Sequence, residues 1–243
     1  MGTLLLEVAA WRDTENYALD IRDRFTRRVN ADAELREHRD YVETHAYGMG
    51  ERCFHWLWRL VVGEMPESFR FMEIGVWKGQ VLSLVRLLAN RIGKKVDVTG
   101  VTVLSPFAGV TGQFPKYANE DYMKHITDLH DHFGLEHPRL IVGDSTSRGV
   151  QDQASWHEPL DLLYVDGCHE YEYVAKDLIY YPQLLRVGGL LVVDDAACYL
   201  EHPAGFFSGI EPVSRAVRTV IETDPQWQHL LAVVHNRVFR RIA

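Results

Sequence analysis

The chain has 243 residues, 47% of them hydrophobic and 25% charged, with a formal net charge of −8. That length suits one large α/β domain or two small ones, and the acidic balance argues against broad, nonspecific binding to phosphate backbones. Three cysteines, Cys53, Cys168 and Cys198, are too few and too scattered for a disulfide framework or a cysteine zinc cluster, so a reducing, cytoplasmic setting is the default expectation.

The opening run MGTLLLEVAAW is apolar but short, is interrupted by Glu7 and lacks a basic flank. Neither a membrane span nor an export signal is expected from it. From Thr14 to Val62 the sequence is rich in charge and shows no convincing strand. Phe54, Leu57, Trp58 and Val61 follow the i, i+3, i+4, i+7 spacing of a helix with one apolar face. Residues 1–66 are read as a cap of two or three helices ended by GEMPES, followed by a second region over 67–243. The cap covers a sheet face, and a lid or a subunit interface, hence a homo-oligomer, is the sharper role for it.

After Pro66 strands and helices alternate. FRFMEIG reads as a strand, QVLSLVRLLANRIG as a helix stopped at Gly93, VDVTGVTVL as a strand and EDYMKHITDLHDHFG as a helix. PRLIVGD and LDLLYVDG are short apolar strands, YEYVAKDLIYYPQLL is a helix and GGLLVVDD a strand. PVSRAVRTVIETD is a helix, and WQHLLAVVHNRVFRRIA holds two strands joined by HNR, a link so short that they must pair antiparallel. The expected fold is α/β: a doubly wound, mostly parallel sheet of seven strands finished by an antiparallel hairpin, with the helical cap before it.

At the first strand-to-helix junction, MEIGVWKGQ places Glu73, Gly75 and Gly79. Ligands of open α/β sheets bind beyond the carboxyl ends of strands, where glycine permits tight turning and close approach. The Gly-x-x-x-Gly spacing fits neither the dinucleotide fingerprint nor the phosphate loop. A plain tight turn explains such a pair of glycines as well as a ligand does.

Taken together, EIGVWKGQ, LIVGDSTS, LYVDGCHEYEYVAKDL and RVGGLLVVDDA resemble the class I S-adenosylmethionine-dependent methyltransferases. Within them the pattern looks like the macrocin O-methyltransferase group of sugar methyltransferases, and it is similar to the related cephalosporin-hydroxylase-like proteins. The resemblance runs from Phe69 to Ala196. It implies S-adenosylmethionine as cofactor, with Glu73, Gly75 and Gly79 around its methionine part, Asp144 and Ser145 beside the adenine, and Asp166 at the following strand end. The second strand of that group ends in an acidic residue that binds the ribose. Here Thr102 stands near that place, and ribose contact falls to Thr102, Ser105 or backbone.

Asp166 ends one strand, and Asp194 with Asp195 ends the next. On neighbouring strands these tips lie roughly 5 Å apart, close enough for the carboxylates to repel unless a cation is present. An all-oxygen set suits a hard divalent ion, Mg²⁺ above others, and the same three positions match the metal-binding residues of the O-methyltransferases that the sequence resembles. Hydrogen bonding to a loop or capping of a turn is the plainer role for each aspartate. The resemblance makes His169, in the Asp-Gly-x-His segment, the general base that deprotonates an acceptor hydroxyl, a task its titration range suits.

The loops after the second and fifth strands offer Phe107, Phe114, Tyr117, Tyr199, His202, Phe206 and Phe207 as candidates to line an acceptor pocket. The expected acceptor is a small-molecule hydroxyl, most directly a sugar of a glycosylated natural product, with neither nucleic acid nor membrane as partner. The alternatives are methylation of a catechol-like phenol, an oxidative reaction of the cephalosporin-hydroxylase kind with iron in the same carboxylates, and a non-catalytic module that keeps the fold.

Overall fold

The computed structural model describes residues 17–105 and 120–243. The opening apolar run and the pocket candidates Phe107, Phe114 and Tyr117 lie outside those residues. Three helices come first: α1 (Tyr17–Ala31), α2 (Ala33–His45) and α3 (Phe54–Glu64). Asp32 starts α2 by accepting a hydrogen bond from the Leu35 amide, as an N-terminal cap does. Its other oxygen pairs with Arg91 at 2.7 Å, tying these helices to the sheet layer.

Strands and helices then alternate as β1 (Ser68–Ile74), α4 (Gln80–Arg91), β2 (Lys95–Thr102), α5 (Tyr122–His132) and β3 (Arg139–Val142). They continue as α6 (Arg148–Ser155), β4 (Leu160–Val165), α7 (Tyr171–Tyr180) and β5 (Leu185–Val193). After α8 (Glu211–Ala216), prolonged by a π-helical turn over Val217–Ile221, the chain closes with β6 (Trp227–Val233) and β7 (Asn236–Arg241). One sheet of seven strands results, in the order β3-β2-β1-β4-β5-β7-β6. Its pairs are parallel up to β5, and β7 runs antiparallel to both of its neighbours. The expected fold class is therefore the observed one, with the hairpin folded so that its second strand enters the sheet first.

Period-two alternation divides the sheet between two cores. Phe71, Leu162, Tyr164, Leu190 and Val192 face the layer of α1, α3 and α4, whereas Met72, Ile74, Leu163, Leu191 and Val193 face α7 and α8. The apolar face of α3 is buried as its spacing predicts. Trp58, only 2% exposed, meets the edges or faces of Phe71 and Tyr164 with ring centroids 5.8 and 5.0 Å away. Among the described residues no helix is long and apolar enough to cross a membrane.

Candidate active site

Strand order reverses between β1 and β4: the chain first builds outward through β2 and β3, then returns to the other side of β1. The crevice beyond the carboxyl ends of β1 and β4 is the place where such sheets hold ligands. Gly75, the first residue after β1, lies there with φ +95°. A Cβ on it would sit 2.1 Å from the Asp166 carbonyl oxygen, so only glycine lets the two strand ends approach. Gly79 follows at the N-terminus of α4.

A cavity of about 210 Å³ opens at this crevice, and its lining includes Gly75, Thr102, Asp144, Ser145, Asp166 and His169. Val76, Val101 and Val103 supply apolar walls to the same space. Thr102 does reach the cavity, but its hydroxyl already donates to the Val76 carbonyl and accepts from the Leu104 amide, both at 3.0 Å. Asp144 likewise accepts two bonds from Thr146 at 2.8 Å and shapes the turn into α6. Ser145 donates to Asp177 on α7 at 3.1 Å. These three residues shape the cavity wall, and part of their hydrogen-bonding capacity is already in use. Glu73 and Gly79 do not line this cavity: Glu73 faces the larger one toward the helical cap, is 4% exposed, and its Oε2 has no hydrogen-bond partner among the described residues. Burial, reinforced by the charge of Asp166, holds its carboxyl well above the ordinary range.

The three expected aspartates lie at neighbouring strand tips, Asp166 just after β4 and Asp194 with Asp195 just after β5. The amide of Asp194 donates to Val165 and that of Asp166 to Ile74, so hydrogen bonds of the parallel ladder bring the strand tips together. Burial first, then the charges of Asp166 and Asp195, keeps the Asp194 carboxyl well above its usual pKa. Asp195 is pushed up to about 6 by burial and Asp166, with His169 working the other way. Asp166 accepts a bond from the buried Tyr164 hydroxyl at 3.0 Å. His169 turns Nε2 toward the corner, 3.5 Å from Asp195 and 4.0 Å from Asp166. Burial would lower its pKa, but those two carboxylates outweigh burial and raise it.

Two side chains in the corner escaped the sequence reading. Asn236 donates to Asp194 at 2.5 Å, and His235 places Nε2 3.5 Å from Asp194 and 3.9 Å from Asp195. Among the described residues, Asp194, Asp195 and His235 form the one set of three acidic, histidine or cysteine side chains whose donor atoms all fall within 4.8 Å. Asp166 stands at its edge. Burial lowers the His235 pKa to about 4, against the pull of Asp166, and the imidazole is neutral near pH 7. The signal available in the sequence was topological. Antiparallel pairing of the last strand with β5 sets Val193 opposite Arg237, which brings the HNR link beside the aspartate pair.

A second cavity, about 560 Å³, lies between the helical cap and the corner. Its walls combine Arg39, Glu43 and Trp58 of the cap with Glu73, Asp194 and His235 of the sheet edge. Of the four described pocket candidates only Phe207 lines it. Tyr199 instead bonds Glu211, His202 bonds Ser208, and Phe206 packs on the core beneath the cap. Met49, Trp77, Asp166 and His169 line both cavities, so the two spaces share a wall at the carboxylate corner.

A sheet of this order, with its site beyond β1 and β4, is the class I methyltransferase fold. Residues 72–196 match the methyltransferase domain family, and the chain belongs to that family. It is also similar to the R132 protein of Acanthamoeba polyphaga mimivirus, 25% identical over 165 residues that make up 67% of this chain and 68% of the viral one. Among solved structures, the O-methyltransferase NovP is 18% identical and superimposes with a TM-score of 0.55 over 78% of this chain and 80% of NovP. The MycE methyltransferase of the mycinamycin pathway, solved with Mg and S-adenosylhomocysteine, is 18% identical with a TM-score of 0.54. That match covers 85% of this chain but only 54% of MycE.

Proposed function

We propose that the chain is an S-adenosylmethionine-dependent, divalent-metal-assisted O-methyltransferase acting on a hydroxyl of a small molecule, a sugar of a glycosylated natural product before others. The observation that carries this reading is the shared wall. A donor seated in the smaller, apolar-walled cavity and an acceptor seated beneath the cap would face each other across Asp166 and His169. The methyltransferase family, the O-methyltransferase likeness of NovP and the Mg- and S-adenosylhomocysteine-bound MycE support it.

The residues present fit both absent groups. Gly75, Thr102, Asp144, Ser145 and Asp166 line the smaller cavity where the donor would sit, between the apolar walls of Val76, Val101 and Val103. Burial first, then the charge of their acidic neighbours, raises the pKa values of Asp194 and Asp195, and a divalent cation held with Asp166 would offset both. When bound, S-adenosylmethionine supplies a methyl group on positively charged sulfur, and the ion supplies charge that stabilises a developing alkoxide.

The chain's own part is alignment and proton transfer. His169 presents Nε2 to the space between the cavities and takes the proton of the acceptor hydroxyl. Positive charge in the corner opposes the carboxylates that raise its pKa and favours the neutral, proton-accepting imidazole. Above it, Trp58 and Phe207 offer aromatic faces while Arg39 and Glu43 offer hydrogen bonds, a combination suited to a polyhydroxylated ring. The same aromatic faces favour a phenolic acceptor as the second reading.

Calorimetry of S-adenosylhomocysteine binding, with and without Mg²⁺, tests donor and metal together. Saturable binding that strengthens with Mg²⁺ is expected. Absence of binding in both conditions refutes the donor, and full activity in excess chelator removes the metal. A product heavier by a methyl group, and not by an oxygen atom, separates methyl transfer from oxidation.

A further inference from the structure

The carboxylate corner holds a buried imidazole that an all-oxygen site does not need. We propose that His235 is a ligand of the ion held at this corner and that the corner therefore selects a first-row transition ion such as Mn²⁺ over Mg²⁺. This rests on the metal-assisted reading above and names the ion that the reading leaves open.

The geometry argues for coordination over an ordinary hydrogen bond. His235 Nε2 faces Asp194 at 3.5 Å and Asp195 at 3.9 Å, both beyond the roughly 2.7–3.2 Å of an N–H···O bond. The Asp194 oxygen it faces already accepts from Asn236 at 2.5 Å. Ligand atoms that share one ion at usual bond lengths stand roughly 3 to 4.5 Å from each other, and all three donors here fall within 4.8 Å. His235 is 6% exposed, so its Nε2 meets the two carboxylates away from bulk solvent.

The ring is also held in place. The His235 carbonyl accepts from the Ala196 amide at 2.8 Å, which fixes the hairpin tip next to Asp195. Phe54 and Phe207 meet the imidazole edge-to-face with centroids 4.8 and 5.0 Å away. A separate observation points to a ligand in the same space: Glu73, 4% exposed, lines this cavity with Oε2 unpartnered among the described residues. Carboxylates alone suit Mg²⁺ and Mn²⁺ alike, but Mg²⁺ is bound through oxygen, whereas the affinity of a nitrogen-containing site climbs through the first-row ions from Mn²⁺ upward. Adding His235 to Asp194 and Asp195 therefore disfavours Mg²⁺ relative to that whole series, of which Mn²⁺ is the weakest member.

Mn²⁺ alone, titrated into the chelator-stripped full chain, provides the test by electron paramagnetic resonance. Binding at one site with a nitrogen coupling in the pulsed spectrum is expected, and that coupling should change when histidine is ¹⁵N-labelled. His235→Gln should abolish the coupling, weaken Mn²⁺ at least about tenfold and narrow its advantage over Mg²⁺, while His169→Gln keeps the coupling. Mn²⁺ bound without histidine coupling, coupling that disappears only with His169→Gln, or no preference of the unmodified chain for Mn²⁺ overturns the inference and leaves the metal reading standing. Failure of both Mn²⁺ and Mg²⁺ to bind overturns both. Should His235→Gln not fold, the labelled chain and His169→Gln together decide.

Discussion

Asp177 on α7 is 1% exposed, accepts from Ser145 through one oxygen and leaves the other without a partner among the described residues. Burial pushes its carboxyl up to about 7 from 3.8, with the Ser145 bond opposing and Asp144 adding to the rise. The sign follows from proton counting. As pH rises through about 4 the unfolded chain releases this proton, while the folded chain keeps it until about 7. The unfolded state thus binds fewer protons in that window, and stability falls as pH rises across it, then levels off. At about 1.4 kcal/mol per pH unit, the full effect amounts to about 4 kcal/mol. Asp177→Asn keeps a carbonyl acceptor for Ser145 but cannot ionise. At pH 8 the variant should be more stable than the unmodified chain by up to about 4 kcal/mol, and at pH 4 the two should agree within about 1 kcal/mol. Urea unfolding followed by circular dichroism at several pH values measures both, and groups such as Asp195 and His235 titrate in each and cancel in the difference. A difference that stays constant from pH 4 to pH 8, or that grows toward acid, refutes the reasoning.

Gly75→Ala forces a Cβ to 2.1 Å from the Asp166 carbonyl at φ +95°. A loss of more than about 4 kcal/mol is expected, with S-adenosylhomocysteine binding abolished. A thermal midpoint matching that of the unmodified chain would contradict it. His169→Gln should bind S-adenosylhomocysteine normally yet transfer methyl about 10²- to 10⁴-fold more slowly, and an unchanged rate in a product assay takes the base role away from this residue.

The central strands were legible because β4 is buried throughout with Asp161 as its one charged residue, and β1 is buried without a break from Phe71 to Ile74. The acidic corner followed from them, since residues at the tips of neighbouring strands must be neighbours. Two features were not legible, for different reasons. The segment RGVQDQAS forms α6 while burying only Val150 and Ala154, too few apolar positions to show a helical period. His235 and Asn236 reach the corner only because β7 enters the sheet beside β5, a choice made by long-range packing and not by the hairpin itself. Thr102 was read as a candidate ribose contact from its position alone, and its hydroxyl turns out to brace the loop through Val76 and Leu104. Bonds of that kind depend on the backbone of a segment some 26 residues away and leave no mark in a linear pattern.

The way Trp58 is seated decides how an acceptor can enter. Phe25, Leu57, Trp58 and Val61 are at most 2% exposed and share one core with the sheet. Swinging the three helices outward as a body would strip these side chains at roughly 1.5–3 kcal/mol each, comparable to the whole stability of a domain. Entry must therefore rely on small adjustments at the rim, where Met49 is 59% and Phe207 55% exposed. Turnover would then be paced by the fluctuation of a doorway and not by the departure of a roof.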